Sequence, residues 1–217
     1  MSKNNNWSLI GLFFLLVVLP AGSWFFMQRG ADFRMKALGE LDELGQFPAV
    51  SLFLPDGDTL TSEDLSNKVL MVNFFPENVS PEAPEVRQMK WIQSQFLERL
   101  LNREEFRFLS LVPVDSAAQL APLVRAMDLS DKQFRRWIVA GAPADNLKKW
   151  ATGYLHLPLK AGQTPLHNPY IAIVDMEGKV RHFYDMMNTE EVGKLMVHLP
   201  ILMPEKDDRK VDIKTAQ

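Results

Sequence analysis

The chain has 217 residues, 47% of them apolar, and a formal net charge of −3. These values allow a full hydrophobic core in one domain of ordinary size, and the absence of a basic block argues against nucleic acid as a partner. The chain contains no cysteine, which excludes disulfide exchange, thiol peroxidase chemistry, thiolate copper or zinc sites, and lipoprotein anchoring through an N-terminal cysteine.

The N-terminal part of the chain carries a candidate membrane anchor. No charged residue lies between Lys3 and Arg29, and Trp7 to Met27 is an apolar stretch. At about 1.5 Å per residue, such a helix crosses a hydrocarbon core of about 30 Å. A cleaved signal peptide is the alternative, but the stretch exceeds the usual length of such a segment. We therefore expect an uncleaved anchor over residues 7–28.

The charges that flank this anchor do not decide its orientation. Lys3 and the α-amino group precede the anchor, and Arg29, Arg34 and Lys36 follow it closely. A literal positive-inside count would leave the following domain in the cytoplasm, but long domains cross the membrane regardless of charge. The flanking charges therefore leave the orientation open.

The segment after the anchor is predicted to be a juxtamembrane helix. Ala31 to Leu44 has apolar residues at helical spacing among charges, and Gly45 is expected to end the helix. The tail is charged and nearly free of apolar residues, so we expect it to be disordered or to lie on a partner. The predicted organisation is a flank at 1–6, the anchor at 7–28, a juxtamembrane helix or linker at 29–45, a globular domain at 46–203 and the tail at 204–217.

Strand and helix patterns alternate within the globular domain. A hairpin with a Pro-Asp-Gly turn opens the domain, Ser62 is expected to cap a short helical turn, and a second hairpin precedes the last helix. This order predicts an α/β fold, with a mixed central sheet of the thioredoxin-like type. The predicted strands are Val50–Leu54, Thr59–Thr61, Val69–Phe75, Phe106–Val114, Phe134–Ala140, Tyr170–Asp175 and Val180–Tyr184, and the predicted helices are Pro84–Asn102, Ala117–Met127, Ala144–Tyr154 and Thr189–Leu199.

The junction between the strand at Val69–Phe75 and the following helix is the most informative stretch. Ser80 can cap the helix, a proline suits its first turn, and Glu82 and Glu85 favour the positive end of its dipole. Thioredoxin-like proteins keep reactive cysteines at such a junction, because the helix dipole lowers the pKa of a thiol. Since the thiols are missing here, the sequence indicates an emptied redox or copper site.

Several features resemble the Sco (SenC) family, membrane-anchored thioredoxin-like proteins associated with copper delivery to cytochrome c oxidase. An anchor precedes a hairpin with a Pro-Asp-Gly turn, and Lys68-Val-Leu-Met-Val-Asn-Phe is similar to the family's central strand. Val79-Ser-Pro-Glu-Ala-Pro84 occupies the place of the family's Cys-x-x-x-Cys-Pro loop, and His167 falls where the family keeps a histidine ligand. The resemblance implies that Val79, Ala83 and His167 stand at the positions of the copper site.

The chain departs from this family at the same positions. Val79 and Ala83 replace both cysteines, and Pro169 resembles the cis-proline of thioredoxins, which Sco proteins usually lack. Because His167 is the one donor left of a site that uses two thiolates and an imidazole, we predict no metal, cofactor-binding or catalytic residue here. The acidic residues of the loop and helix start, Glu77, Glu82 and Glu85, are expected to complement the helix dipole rather than to act as ligands.

A soft-metal site elsewhere is a second possibility. His182 followed by Met186 and Met187 could supply imidazole and thioether donors for cuprous ion. Methionine more often fills gaps in a core. We therefore keep this site as the weaker alternative.

The function expected from these observations is binding rather than catalysis. The resemblance implies a redox-inactive, membrane-anchored Sco-like protein that serves as an assembly factor or accessory subunit of a respiratory membrane complex of the cytochrome c oxidase type. We expect no enzyme activity, no cofactor and no small-molecule substrate. The expected partners are the membrane and respiratory-complex subunits, and the resemblance implies the inner cell membrane with the domain on the periplasmic side. The alternative is a copper chaperone that uses histidine and methionine in place of cysteine.

Overall fold

The computed structural model describes residues 11–100, 103–129 and 136–204. The predicted flank, the first residues of the predicted anchor and almost all of the predicted tail lie outside these ranges. The chain divides into two units, Met1–Glu40 and Leu41–Gln217, and each is described by itself.

The described part of the first unit is one long helix, α1 (Gly11–Gly39), which includes a π-helical turn at Phe14–Val18. Its large apolar side chains are exposed, including those of Phe13 and Trp24. Among the described residues it is the one helix that is long and apolar enough to cross a membrane, and a signal sequence would have the same properties.

The predicted juxtamembrane helix is wrong at its C-terminal end. The helix stops at Gly39, and the next residues pair with a strand: the amide of Asp42 donates to the carbonyl of Arg181 and the amide of Leu44 to that of Val180. Gly45 does not end a helix, because it begins this strand pairing. A side chain there would collide with the carbonyl oxygen of Tyr154, so the close approach requires glycine.

The described residues of the second unit form an eight-stranded mixed sheet in the order β1-β8-β7-β4-β5-β6-β2-β3. β4, β5 and β6 are parallel, whereas β7 runs antiparallel to β4 and β8 antiparallel to β7. This confirms the predicted thioredoxin-like α/β architecture. The strands are β1 (Gly45–Gln46), β2 (Ser51–Phe53), β3 (Thr59–Thr61), β4 (Val69–Phe74), β5 (Phe106–Pro113), β6 (Trp137–Ala142), β7 (Tyr170–Val174) and β8 (Lys179–Asp185).

Four helices accompany this sheet in the part of the chain that the structure describes, as the sequence predicts. They are α2 (Pro84–Leu100), α3 (Ala117–Ala126), α4 (Ala144–Lys149), which continues as a π-helical turn at Trp150–Tyr154, and α5 (Thr189–Ile201). Asn188 caps α5, since its side-chain oxygen accepts from the amides of Glu190 and Glu191. Two predicted boundaries, Asn102 and Phe134, lie outside the described residues.

β4 is the centre of the domain, because all six of its residues are buried. Successive side chains of a strand point to opposite faces. On one face Met71 packs in a core cluster with residues of α2 and α5, and on the other Val72 packs in a second cluster with residues of α4. The predicted inner face of α2 is confirmed at Val86, Met89 and Ile92, which are fully buried, while the side chains of Phe96 and Leu100 are outside the described set.

The segment after β3 differs from its prediction. Instead of a helical turn capped by Ser62, the chain makes tight turns, and the Ser62 hydroxyl accepts from the amide of Val50. The carboxylate of Asp64 accepts from the backbone amide and the hydroxyl of Thr61. Both hydrogen bonds favour the charged form and lower the pKa of Asp64. The predicted cap is wrong because its hydroxyl bonds to the neighbouring chain segment.

A polar network crosses the core next to Met71. The Ser110 hydroxyl of β5 donates to Asn73 Oδ1 of β4 at 2.6 Å and accepts from Trp137 Nε1 of β6 at 2.9 Å. Asn73 and Ser110 are fully buried, and Asn73 Nδ2 has no hydrogen-bond partner among the described residues. Because buried polar groups are costly unless paired, this network fixes the register of three central strands.

Candidate functional site

The candidate site lies at the C-terminal end of β4, where a loop leads into α2. Two tight turns build this loop: the amide of Val79 donates to the carbonyl of Pro76, and that of Ala83 to Ser80. The Ser80 hydroxyl accepts from the amide of Glu82, so Ser80 closes the second turn and does not cap α2 as predicted. The helix starts only at Pro84, where the missing N–H of proline leaves no bond unmade.

The two positions that the sequence resemblance assigns to cysteines, Val79 and Ala83, hold apolar side chains that pack in or against the core. Val79 is 6% exposed and belongs to the core cluster that contains Met71, and Ala83 is half-buried against the same cluster. Neither side chain carries a donor atom for a metal or a nucleophile for disulfide exchange. A reactive site would need accessible sulfur atoms at these two positions. The loop instead has apolar side chains there that pack in or against the core.

His167 lies beside this loop although it is far away in sequence. Its Nε2 is 3.9 Å from Glu85 Oε1 in the first turn of α2, two residues after Ala83. His167 therefore lies next to the first turn of α2, which directly follows Ala83 in the chain. His167 remains 68% exposed, and an exposed pair at this distance adds little stability.

Asn168 holds the loop that carries His167, which the sequence alone does not reveal. Its side chain is buried and spans the turn: Nδ2 donates to the carbonyl of Pro165 at 3.0 Å, and Oδ1 accepts from the amide of Tyr170 at 3.0 Å. His167 pairs through its backbone with Thr164. This arrangement presents the imidazole to solvent next to α2.

The isomer of the bond before Pro169 is a point that the sequence leaves open. The Asn168–Pro169 peptide bond is trans. The carbonyl of Pro169 accepts from the amide of Met186 at 2.8 Å, so this turn is fixed to the end of β8. The resemblance of Pro169 to the cis-proline of thioredoxins is therefore one of position in the sequence and not of isomer.

The acidic residues around the loop differ in their surroundings. Glu85 lies in the first turn of α2, where its charge favours the helix dipole as predicted. Glu77 and Glu82 are exposed and precede the helix. Within the described residues neither forms an ion pair, and no group of three or more His, Asp or Glu side chains could hold a metal ion.

The methionines of the alternative soft-metal site differ in their exposure to solvent. Met186 is fully buried in the core, whereas Met187 is 52% exposed. The His182 ring lies 4.7 Å from the Tyr184 ring and 6.0 Å from the His198 ring, measured between centroids. The two methionines therefore lie in different surroundings, and the ring neighbours of His182 are Tyr184 and His198.

The hydrogen bond between Tyr184 and His198 gives a testable prediction. The Tyr184 hydroxyl lies 2.6 Å from His198 Nδ1, and both side chains are almost fully buried between β8 and α5. Replacing Tyr184→Phe removes this bond and is expected to lower the free energy of unfolding by about 1–3 kcal/mol. Chemical denaturation measures the change. Tyr154→Phe, on a side chain that is 39% exposed, is the control, and an equal loss in both variants would contradict the prediction.

Comparison with solved structures finds the same fold in other proteins. The fold matches BsSco, described as a member of the Sco family of cytochrome c oxidase assembly proteins, with 19% identity over 73% of this chain and 96% of that one and a TM-score of 0.56. A Sco/SenC family lipoprotein from Bacillus anthracis matches with 18% identity over 73% and 95% of the two chains and a TM-score of 0.58. A putative protein disulfide isomerase from Bacteroides thetaiotaomicron matches with 16% identity over 76% and 92% and a TM-score of 0.54.

These similarities establish the thioredoxin-like fold. The resemblance to Sco/SenC proteins predicted from the sequence is confirmed as a structural match over about three quarters of the chain. No protein family profile matches the sequence, and no curated protein matches it.

Proposed function

We propose that this chain is a membrane-anchored, redox-inactive Sco-like protein that acts by binding, as an assembly factor or accessory subunit of a respiratory membrane complex of the cytochrome c oxidase type. The observation that carries the proposal is the packing of Val79 and Ala83 in and against the core, in the loop that leads into α2. A scaffold suited to thiol chemistry is present, and its reactive positions hold inert side chains.

The chemistry of the loop supports binding over catalysis. Disulfide exchange needs a thiolate, and a Sco-type copper site needs two of them with an imidazole. The chain has no cysteine, and His167 contacts a carboxylate that is a poor partner for cuprous ion. Recognition by the surface of the loop requires none of these groups, so we propose no enzyme activity and no small-molecule substrate.

The long apolar helix supports a place at the membrane. Under this proposal α1 is an uncleaved anchor in the inner cell membrane, and the domain from Leu41 onward lies on the periplasmic side. The likeness to BsSco, described as belonging to a family of oxidase assembly proteins, supports a partner in the same membrane.

The periplasmic location can be tested with a single introduced cysteine. Because the chain contains none, a thiol placed at the exposed Glu63 by Glu63→Cys is the one site of modification. We expect a membrane-impermeant maleimide to label this variant in intact spheroplasts. Labelling that appears only after the cells are lysed would place the domain in the cytoplasm.

The binding role itself is tested by purification of the tagged full-length chain from solubilised membranes, with quantitative mass spectrometry. We expect subunits of a respiratory oxidase to be enriched over a control with an unrelated domain on the same α1 anchor. Equal recovery of these subunits with both proteins would contradict the proposal.

A copper chaperone with histidine and methionine donors remains the alternative, but less supports it. Its predicted donors, Met186 and Met187, lie one in the core and one in solvent. Titration with cuprous ion separates the two functions. The binding role predicts no stoichiometric copper, and the chaperone role predicts a tight equimolar complex.

A further inference from the structure

A cleft of about 270 Å³ lies at the N-terminal end of β4, at the other end of that strand from the loop that leads into α2. It is lined by residues 47–49, 62, 65–68, 70 and 174–178, and we call it the basal cleft. These residues belong to the segment after β1, to the turns before β4 with the start of that strand, and to the hairpin of β7 and β8. The basal cleft therefore shares no residue with the candidate site.

Hydrogen bonds between its walls fix the shape of the basal cleft. The amide of Phe47 donates to the carbonyl of Gly178 at 2.8 Å, and the amide of Val50 donates to the Ser62 hydroxyl at 2.7 Å. The segment after β1 is thus bonded to both of the other walls. A cleft that is formed before its ligand arrives binds that ligand at a lower entropic cost.

The larger part of the cleft lining is apolar. Leu65, Leu70 and Val174 are buried, and Phe47 and Met176 are half-buried. Because a cavity of about 150 Å³ holds benzene, the volume of the basal cleft suits a ligand of about eleven non-hydrogen atoms. The lining therefore offers a place for a ring or a short hydrocarbon chain.

The two carboxylates that line the basal cleft already have partners. Asp175 Oδ1 accepts from the amides of Glu177 and Lys179, at 2.9 Å each. Asp175 Oδ2 lies 3.7 Å from Arg181 Nη1. Glu177 Oε2 lies 3.4 Å from Lys179 Nζ, which also lies 3.1 Å from Glu43 Oε2. These pairs contain three carboxylates and two cations.

Lys68 is the third cation of the basal cleft, and it balances this charge without a direct contact. It is half-buried, and it makes no hydrogen bond or ion pair within the part of the chain that the structure describes. Glu63 and Asp64 lie nearby in the turns, but they are exposed and do not line the cleft. Glu105, whose carbonyl accepts from the residue after Lys68, pairs with Arg103 at 3.3 Å. The Lys68 ammonium is thus available to a ligand.

We propose that the basal cleft binds a small monocarboxylate, with the carboxylate on the Lys68 ammonium and a ring or hydrocarbon chain on the apolar lining. One unpaired ammonium matches one negative charge. A dianion such as phosphate would bring further negative charge close to Asp175 and Glu177, and it would make no use of the apolar lining. The cleft binds this ligand without converting it, and the site is independent of the proposed function, whose partner is a protein.

The test uses the full-length chain in detergent micelles and follows the methyl groups of its methionines by NMR. The probe is hydrocinnamate, in which a short chain joins a phenyl ring to a carboxylate. We expect a saturable shift of the Met176 methyl signal with a Kd of about 1 mM. The methyl signal of Met187, which does not line the cleft, is expected to stay in place.

The role of the charge is tested with a variant and with a second ligand. Lys68→Leu is expected to weaken the binding of hydrocinnamate about tenfold, because a charge-assisted hydrogen bond is lost. Lys149→Leu, at an exposed lysine outside the cleft, is the matched control and is expected to keep the Kd within about twofold. Hydrocinnamyl alcohol, which carries no charge, is expected to bind the wild type about tenfold more weakly than hydrocinnamate does.

Four results would overturn the proposal: no saturable shift of the Met176 signal, equal affinity of the wild type for the carboxylate and the alcohol, inorganic phosphate that binds as tightly as hydrocinnamate, or unchanged affinity in a folded Lys68→Leu variant. Circular dichroism checks the folding of each variant. The comparison of the two ligands needs only the wild-type chain, so it decides the role of the charge whether or not Lys68→Leu folds.

Discussion

Replacing Val79→Cys and Ala83→Cys together is expected to give this chain the thiol chemistry that it lacks. The two positions lie in the loop that leads into α2, where the positive end of the helix dipole stabilises a thiolate. A cysteine fits the space of Val79 without overpacking, because its side chain is smaller. His167 lies 3.9 Å from Glu85, two residues after Ala83, so we expect its imidazole to join the two thiolates in a soft donor set for cuprous ion.

Three measurements check this variant. We expect a thiol pKa below the value of about 8.5 for free cysteine, an intramolecular disulfide on oxidation, and stoichiometric cuprous ion that the wild-type chain does not bind. The control is Arg87→Cys with Trp91→Cys, which has the same spacing on exposed positions of α2 but lies beyond the first turn. A double variant with the ordinary thiol pKa and the copper binding of this control would show that the loop is not a former thiol site.

Replacing Ser110→Ala is expected to be strongly destabilising, although only one oxygen atom is removed. The Ser110 hydroxyl bonds to both Asn73 and Trp137 in the buried network between β4, β5 and β6. The loss of two buried hydrogen bonds, with Asn73 Oδ1 left without this donor, is expected to lower the free energy of unfolding by about 2–5 kcal/mol. Urea denaturation measures the difference.

The matched control for this prediction is Ser51→Ala. Ser51 is also a strand residue, but it is exposed on β2, so its replacement is expected to change the free energy of unfolding by less than about 0.5 kcal/mol. If Ser110→Ala is as mild as this control, the network does not contribute to stability in the way the hydrogen bonds indicate.

Much of the fold follows from local patterns. The short apolar run at Val69–Phe75 predicts a buried central strand, and the spacing of Val86, Met89 and Ile92 predicts the inner face of α2. Both are confirmed. Such patterns predict a strand or a helix reliably because they depend only on which residues of one element are buried. They do not depend on which other element packs against it.

Details that depend on distant partners were not predicted correctly. Gly45 has the sequence signal of a helix end, but its role is set by the approach of Tyr154, which is remote in the chain. Ser62 and Ser80 look like helix caps, yet their hydroxyls are used by Val50 and by the turn before α2. Capping signals describe only local hydrogen-bond capacity, so a competing partner can redirect them.

In the candidate site, too, local features follow from the sequence and contacts between distant residues do not. The sequence resemblance assigned Val79, Ala83 and His167 to one site, and the structure shows Val79 and Ala83 packed in or against one core cluster and His167 3.9 Å from Glu85 in the first turn of α2. The sequence did not predict that Asn168 holds the loop with His167, or that Asn73 belongs to a buried hydrogen-bond network. The sequence did contain one signal of this network. Asn73 stands within the apolar run Val-Leu-Met-Val-Asn-Phe, and a buried asparagine side chain requires hydrogen-bond partners in the core.

The most direct test of the central claim is the copper content of the full-length protein purified from its own membranes under reducing conditions. If recognition has replaced metal and thiol chemistry, copper is expected far below one equivalent per chain, and His167→Ala is expected to leave that content unchanged. One equivalent of copper per chain, lost on His167→Ala, would contradict the account and show that the site still holds metal.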